Sequence, residues 1–218
     1  MFAKISHPRW LCTAALLAAP FMAHAVDGVT DAANDFLPTF AGSINSKDLD
    51  VLSANVLYDA GSNLFQLTAT MGGAIGLTPT GFYVWGVNRG GGTAIFAPNG
   101  IPGVRFDSTV TLRPGGASTA GGQPLSASAI TISGNTITAV VSGTVLASNG
   151  FANKLDFTWN LWPRDGAFSG FAAISDFAPD NANFSSTAGT VAAVPEPQTL
   201  ALLLGGLGVV VFTARRRC

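Results

Sequence analysis

Histidine, cysteine and glutamate are nearly missing from this chain. Its 218 residues include two histidines (His7, His24), two cysteines (Cys12, Cys218) and one glutamate (Glu196), and all five lie outside residues 26–194. Without histidine, that stretch cannot assemble a Ser-His-Asp or Cys-His arrangement or a histidine-based zinc site. Without cysteine it forms no internal disulfide, so its stability must come from packing or from bound ions. The G-x-S-x-G elbow, the P-loop and the dinucleotide fingerprint are absent as well. No Ser-x-x-Lys spacing precedes Lys47 or Lys154 to arm a serine. Positive charge is also scarce. Between residues 26 and 194, 11 aspartates face 2 lysines and 4 arginines, a balance that argues against nucleic acid or an anionic lipid surface as partner.

The two ends are more explicit. Lys4 and Arg9 precede an apolar stretch over residues 10–22, and Ala23-His24-Ala25 fits a small-x-small cleavage site. Residues 1–25 therefore read as a secretory signal peptide removed by signal peptidase after Ala25. At the other end the apolar run 199–214 has 16 residues, about 24 Å as a helix at ~1.5 Å per residue. That is slightly short of a hydrocarbon core, and Arg215, Arg216 and Arg217 lengthen it by snorkelling. The basic cluster stays cytoplasmic, which places everything before Pro195 outside. Pro195 and Pro197 exclude a regular helix ahead of the span and hold Glu196 in an extended segment.

Val194-Pro195-Glu196-Pro197, the run Ala201-Leu202-Leu203-Leu204-Gly205-Gly206-Leu207-Gly208 and the triplet Arg215-Arg216-Arg217 resemble the PEP-CTERM sorting signal of exported bacterial proteins. The resemblance covers residues 195–218 and departs from the pattern only in Cys218. It implies recognition by an exosortase, a membrane-embedded cysteine transpeptidase-like enzyme, with cleavage near the Pro-Glu-Pro motif. It also implies a Gram-negative source that makes exopolysaccharide. The protein would then cross the inner membrane, hold transiently as a single-pass anchor, and reach the cell surface or the medium, with roles linked to biofilm.

Between the ends the pattern is β. Over residues 154–162 Leu155, Phe157, Trp159 and Leu161 alternate with Asp156, Thr158, Asn160 and Trp162, as in a half-buried strand. Phe106, Val110 and Leu112 alternate with Asp107, Thr109 and Thr111, and Phe65 shares a face with Leu67. Tyr83 and Trp85 oppose Phe82 and Val84, one pair being core. The stretches 59–63 (DAGSN) and 133–135 (SGN) have turn compositions between β-rich runs. No segment sustains a 3.6-residue period over ten residues. The expectation is an all-β fold: one antiparallel β-sandwich domain, jelly-roll or immunoglobulin-like, over residues 26–180. A Ser/Ala/Thr-rich linker over 181–194 follows it, then a single C-terminal transmembrane helix over about 199–214.

Three constellations could carry chemistry. Aspartate, asparagine and loop carbonyls suit calcium, the one cofactor the composition favours, and Asp176, Asp180 and Asn181 are the candidate ligands. The second candidate loop, 59–63, reads better as an Asx turn. Flat aromatics on a sheet face suit carbohydrate, with Trp162, Asn160 and Arg164 as candidate contacts on a polar face. Asp107 and Asp156 are the candidates for a glycosidase carboxylate pair, although strand aspartates are far more often solvated. The reading that emerges is a non-enzymatic exported protein, with a carbohydrate-binding module as alternative and exopolysaccharide as a candidate partner.

Overall fold

The computed structural model describes residues 28–191. The signal-peptide reading of residues 1–25 with Ala23 and Ala25, and the sorting segment 195–218 with its apolar run 199–214, lie outside the described residues. Within them there is no α-helix, only short 3-10 turns, and no helix is long and apolar enough to cross a membrane. The strands are β1 (Val29–Thr30), β2 (Val51–Asp59), β3 (Leu64–Met71), β4 (Gly81–Asn88), β5 (Ser108–Leu112) and β6 (Ser118–Ala120), followed by β7 (Gln123–Leu125), β8 (Ile130–Ser133), β9 (Thr136–Ser142), β10 (Thr158–Asp165), β11 (Phe184–Ser185) and β12 (Thr187–Ala188). They form two six-stranded sheets. One runs β1-β2-β3-β9-β8 with β12 also on β2, and the other runs β11-β10-β4-β5-β6-β7. Every pairing is antiparallel except β12 on β2.

Period-two alternation explains the shared core. Phe65, Leu67, Ala69 and Met71 of β3 and Ile137, Ala139 and Val141 of β9 point inward from the first sheet; Tyr83, Trp85 and Val87 of β4, Val110 and Leu112 of β5, and Trp159 and Leu161 of β10 meet them from the second. Phe65 contacts Phe157 and Trp159 with ring centroids 5.8 and 5.4 Å apart, which joins the two sheets through aromatic contacts. In β2 the register shifts between Val51 and Ser53. This bulge lets Val51 and Ala54, three apart, both face the core.

The hairpin turns form where their composition placed them. Asp59 accepts from the backbone N–H of Gly61 and Ser62 at 2.8 and 3.3 Å, so the loop between β2 and β3 is an Asx-type turn. Gly134 takes φ +60° between β8 and β9, the left-handed conformation that glycine adopts without strain.

Three sequence expectations need correction. Residues 154–156 form a 3-10 turn, with Asn153 Oδ1 accepting from Leu155 N–H, so β10 begins only at Thr158. Phe106 precedes β5 and packs away from Val110 and Leu112. The segment from residue 181 to 191 is no free linker. β11 adds to β10 and β12 to β2, and Val191 N–H donates to Asp59 at 3.1 Å. Its Ser/Thr composition serves strand edges that need few apolar side chains.

The outer faces of the two sheets differ. On the first, Thr68–Thr138 and Thr70–Thr136 pair their hydroxyls across β3 and β9 at 3.4 Å. On the second, the outward residues are covered by a second apolar cluster of Val84, Trp162, Val104, Ile174 and Phe177, flanked by Phe96 and Phe106. Gly86 makes that cover fit, because a Cβ there would lie 2.4 Å from the Cη2 and Cζ3 atoms of Trp162. Gly86→Ala should therefore cost about 1–3 kcal/mol through overpacking, or about 5 °C in a thermal melt. A variant melting with the wild type would show that the indole does not rest on this glycine.

Candidate functional site

Two places in the fold bring together groups able to recognise something. The first is built from the bulge of β2 and the loop that follows β1. Asp176 lies in the loop after β10 and is only 1 % exposed. Its Oδ2 accepts from Val51 N–H at 2.9 Å and its Oδ1 from Phe177 N–H at 2.7 Å. Across from it, the loop 31–35 turns back through Asn34 at φ +68°, where Asn34 N–H donates to both oxygens of Asp50 at 2.9 and 3.1 Å. The result places one carboxylate oxygen each of Asp31, Asp35 and Asp176 within 4.8 Å of one another.

Other buried aspartates in the fold are held by hydrogen bonds from backbone and hydroxyl donors. Asp48 takes Thr78 N–H and hydroxyl at 2.6 and 2.7 Å, and Asp165 takes the Thr80 hydroxyl and Ala167 N–H at 2.5 and 2.9 Å. In the trio, by contrast, Asp31 Oδ2 and Asp35 Oδ1 are buried atoms with no hydrogen-bond partner. Among the described residues the ion pair is Arg89–Asp107, so no cation side chain neutralises the trio. Burial first, then the charges of Asp35 and Asp180, raises Asp31 to about 7. Burial also raises Asp176, to about 8. Asp35 and Asp50 are pushed up as well, again mainly by burial.

Two oxygens bound to one calcium at roughly 2.4 Å each cannot lie more than about 4.8 Å apart, and the trio meets that limit. These are hard oxygen donors with no cationic side chain beside them, and a bound cation would take the place of the protons that burial holds on Asp31 and Asp176, which makes them a set calcium can take. The expected ligand set is thus redrawn. Asp176 stays; Asp180 stands close enough to raise Asp31 and Asp35 by its charge. Asn181 turns away and accepts Gly103 N–H at 2.7 Å. Asp31 and Asp35 escaped the sequence reading because they lie some 140 residues from Asp176 and are brought to it only by the β1–β2 connection.

The second place is a groove of about 540 Å³ at one end of the second sheet's outer face. Register sets its walls. Trp162 pairs with Val84, Arg164 with Phe82 and Asn160 with Gly86 across β10 and β4. The side-chain parity expected from the sequence holds, since Asn160 and Trp162 point opposite to Trp159 and Leu161. The exposure does not. Trp162 is 2 % exposed, enclosed by Phe96, Phe106 and Phe177 at centroid distances of 5.2, 4.9 and 5.9 Å. Asn160 is fully buried, and its Nδ2 donates to the carbonyls of Pro179 and Ala182 at 2.6 and 2.8 Å. It pins a loop and cannot meet a ligand.

Arg164 does line the groove, donating to Gly170 O at 2.8 Å. Arg113 joins it, with its guanidinium carbon 3.8 Å from the centroid of the Phe82 ring; that of Arg164 lies 6.0 Å from the same ring. Burial, then the charge of Arg113, lowers the pKa of Arg164.

The glycosidase candidates are engaged elsewhere. Burial raises Asp107, but hydrogen bonds from Arg89 and Asn149 outweigh it and leave the carboxyl below its usual range. A carboxylate so held is a poor general acid. Asp156 sits exposed in the 3-10 turn before β10.

No curated protein and no solved structure matches this chain. A family model does, the one described as the PEP-CTERM protein-sorting motif, over residues 193–217. The chain thus carries, behind an all-β domain of two antiparallel sheets, a PEP-CTERM sorting motif of the kind that marks exported proteins for an exosortase.

Proposed function

We propose that this chain is a non-enzymatic protein of the cell surface or extracellular matrix, exported through its signal peptide and processed by an exosortase near Glu196. The observation that carries this reading is the sorting motif at residues 193–217. The lack of histidine between residues 26 and 194 supports the non-enzymatic part, and so does the engagement of Asp107 with Arg89 at 3.0 Å. Cleavage there leaves the β domain free of its span, at the surface or in a biofilm matrix. Mass spectrometry of the mature protein from its native cells tests this. The expected C-terminus falls near Glu196, and an exported chain retaining Arg217 would reduce the segment to a single-pass anchor.

A second reading is favoured by the geometry: the domain is a carbohydrate-binding module held in shape by calcium. The trio Asp31, Asp35 and Asp176 supplies the ion site, and the groove beside Trp162 and Arg164 supplies the ligand site. Polysaccharide binding measured with calcium and with chelator tests it, and failure to bind any glycan in either condition removes it. A glycosidase built on Asp107 and Asp156 is the weakest reading, because nothing in the geometry frees Asp107 from Arg89.

A further inference from the structure

The groove on the second sheet has the wrong charge for a neutral ligand. Arg113 and Arg164 both approach the Phe82 ring, and among the described residues neither forms an ion pair. No carboxylate lines the groove, although the domain as a whole is rich in aspartate. Concentrating two unpaired guanidiniums against an apolar floor is unfavourable without an anion, since each guanidinium raises the local potential felt by the other. Phe82 holds the two cations, and Phe168 stands at the rim 40 % exposed. Thr109 lies in the same wall. The groove therefore offers two guanidiniums on either side of an aromatic ring to an anionic ligand, and apolar side chains to a sugar face, within one open concavity.

We infer that this groove binds an acidic polysaccharide through its uronate residues, with Arg113 and Arg164 taking the sugar carboxylate and Phe168 packing against the pyranose face. The inference rests on the carbohydrate-binding reading and names its ligand class. Charge complementarity selects the acid, and the apolar rim selects a sugar over a bare anion. The buried Trp162 acts as the back wall and carries no sugar.

Isothermal titration of the full chain in detergent with polygalacturonate, neutral dextran and polyglutamate separates the outcomes. Polygalacturonate should bind at least tenfold tighter than either of the others. Arg113→Gln, an exposed position, should lower that affinity about tenfold with an unchanged melting temperature. Phe168→Ala should weaken polygalacturonate while leaving polyglutamate unchanged. Binding to dextran alone would overturn the acidic ligand and keep the carbohydrate reading. Equal binding to polyglutamate would overturn the sugar and leave a plain polyanion site. Wild-type affinity in both variants would move the ligand to another surface, and no binding to any polymer would sink both readings.

Discussion

Metal-free full chain in detergent should melt about 5–10 °C higher once calcium is added at neutral pH. A ligand that binds only the folded state at 100 times its dissociation constant contributes about 2.7 kcal/mol, and for a domain of this size each kcal/mol moves the midpoint by about 2–4 °C. The unfolded chain has no such site, because Asp31 and Asp35 are far in sequence from Asp176. Magnesium, which demands tighter octahedral geometry and keeps its waters, should do much less.

The pH dependence follows from the same carboxyls. Folding raises Asp176 from 3.8 to about 8 and Asp31 to about 7, both mainly by burial. Between those limits the folded state holds protons that the unfolded state has released. Their contribution is therefore complete at about pH 4 and is lost as pH rises toward 8. A fully buried group loses about 1.4 kcal/mol per unit; Asp31, half-buried, loses less. In chelator the melting temperature should fall by several degrees between pH 5 and pH 8, and calcium should flatten that slope by replacing the protons. Asp35→Asn should abolish the calcium response without lowering the metal-free midpoint, since it removes a repelling charge. Identical melts with and without calcium at pH 7.5 would eliminate the cation site.

What the sequence showed, and what it concealed, divides along sequence distance. Alternation in Phe65 and Leu67 marked β3, and the compositions of residues 59–63 and 133–135 marked two hairpins, because those signals are local. The sorting motif is likewise a contiguous string, legible without any fold. The second apolar cluster was not legible. Its members Ile101, Val104, Ile174 and Phe177 come from loops, where no period announces burial. Trp162 consequently read as a surface residue among Asn160 and Arg164, although its parity was correct. The strands β11 and β12 have two residues each, too few to show alternation, so their Ser/Thr-rich segment looked like a linker. For the candidate cation site, Asp176 was singled out locally, and Asp31 and Asp35 join it only through the fold.

Trp162→Ala should destabilise the domain by about 3–5 kcal/mol, the usual cost of emptying a large buried aromatic site, which is roughly 10 °C or more of melting temperature. The indole is the hub of the outer cluster: it touches Phe96 edge-on with planes at 85°, and also meets Phe106 and Phe177. Phe96 in turn holds Phe171 at 5.9 Å. Removing the indole thus loosens the loops carrying Phe96, Phe171 and Phe177 together, while the core between the two sheets around Trp85 and Trp159 is left intact. Trp162→Phe keeps part of the filling and should cost less than half as much. A stacking platform would behave in the opposite way. Its loss would abolish glycan binding and leave the melt unchanged, because an exposed ring contributes little to folding. Calorimetry and polygalacturonate titration on the same Trp162→Ala sample, below its melting point, distinguish the two roles. The geometry predicts a lowered midpoint with affinity reduced less than by Arg113→Gln, and a wild-type midpoint would place the indole back on the surface.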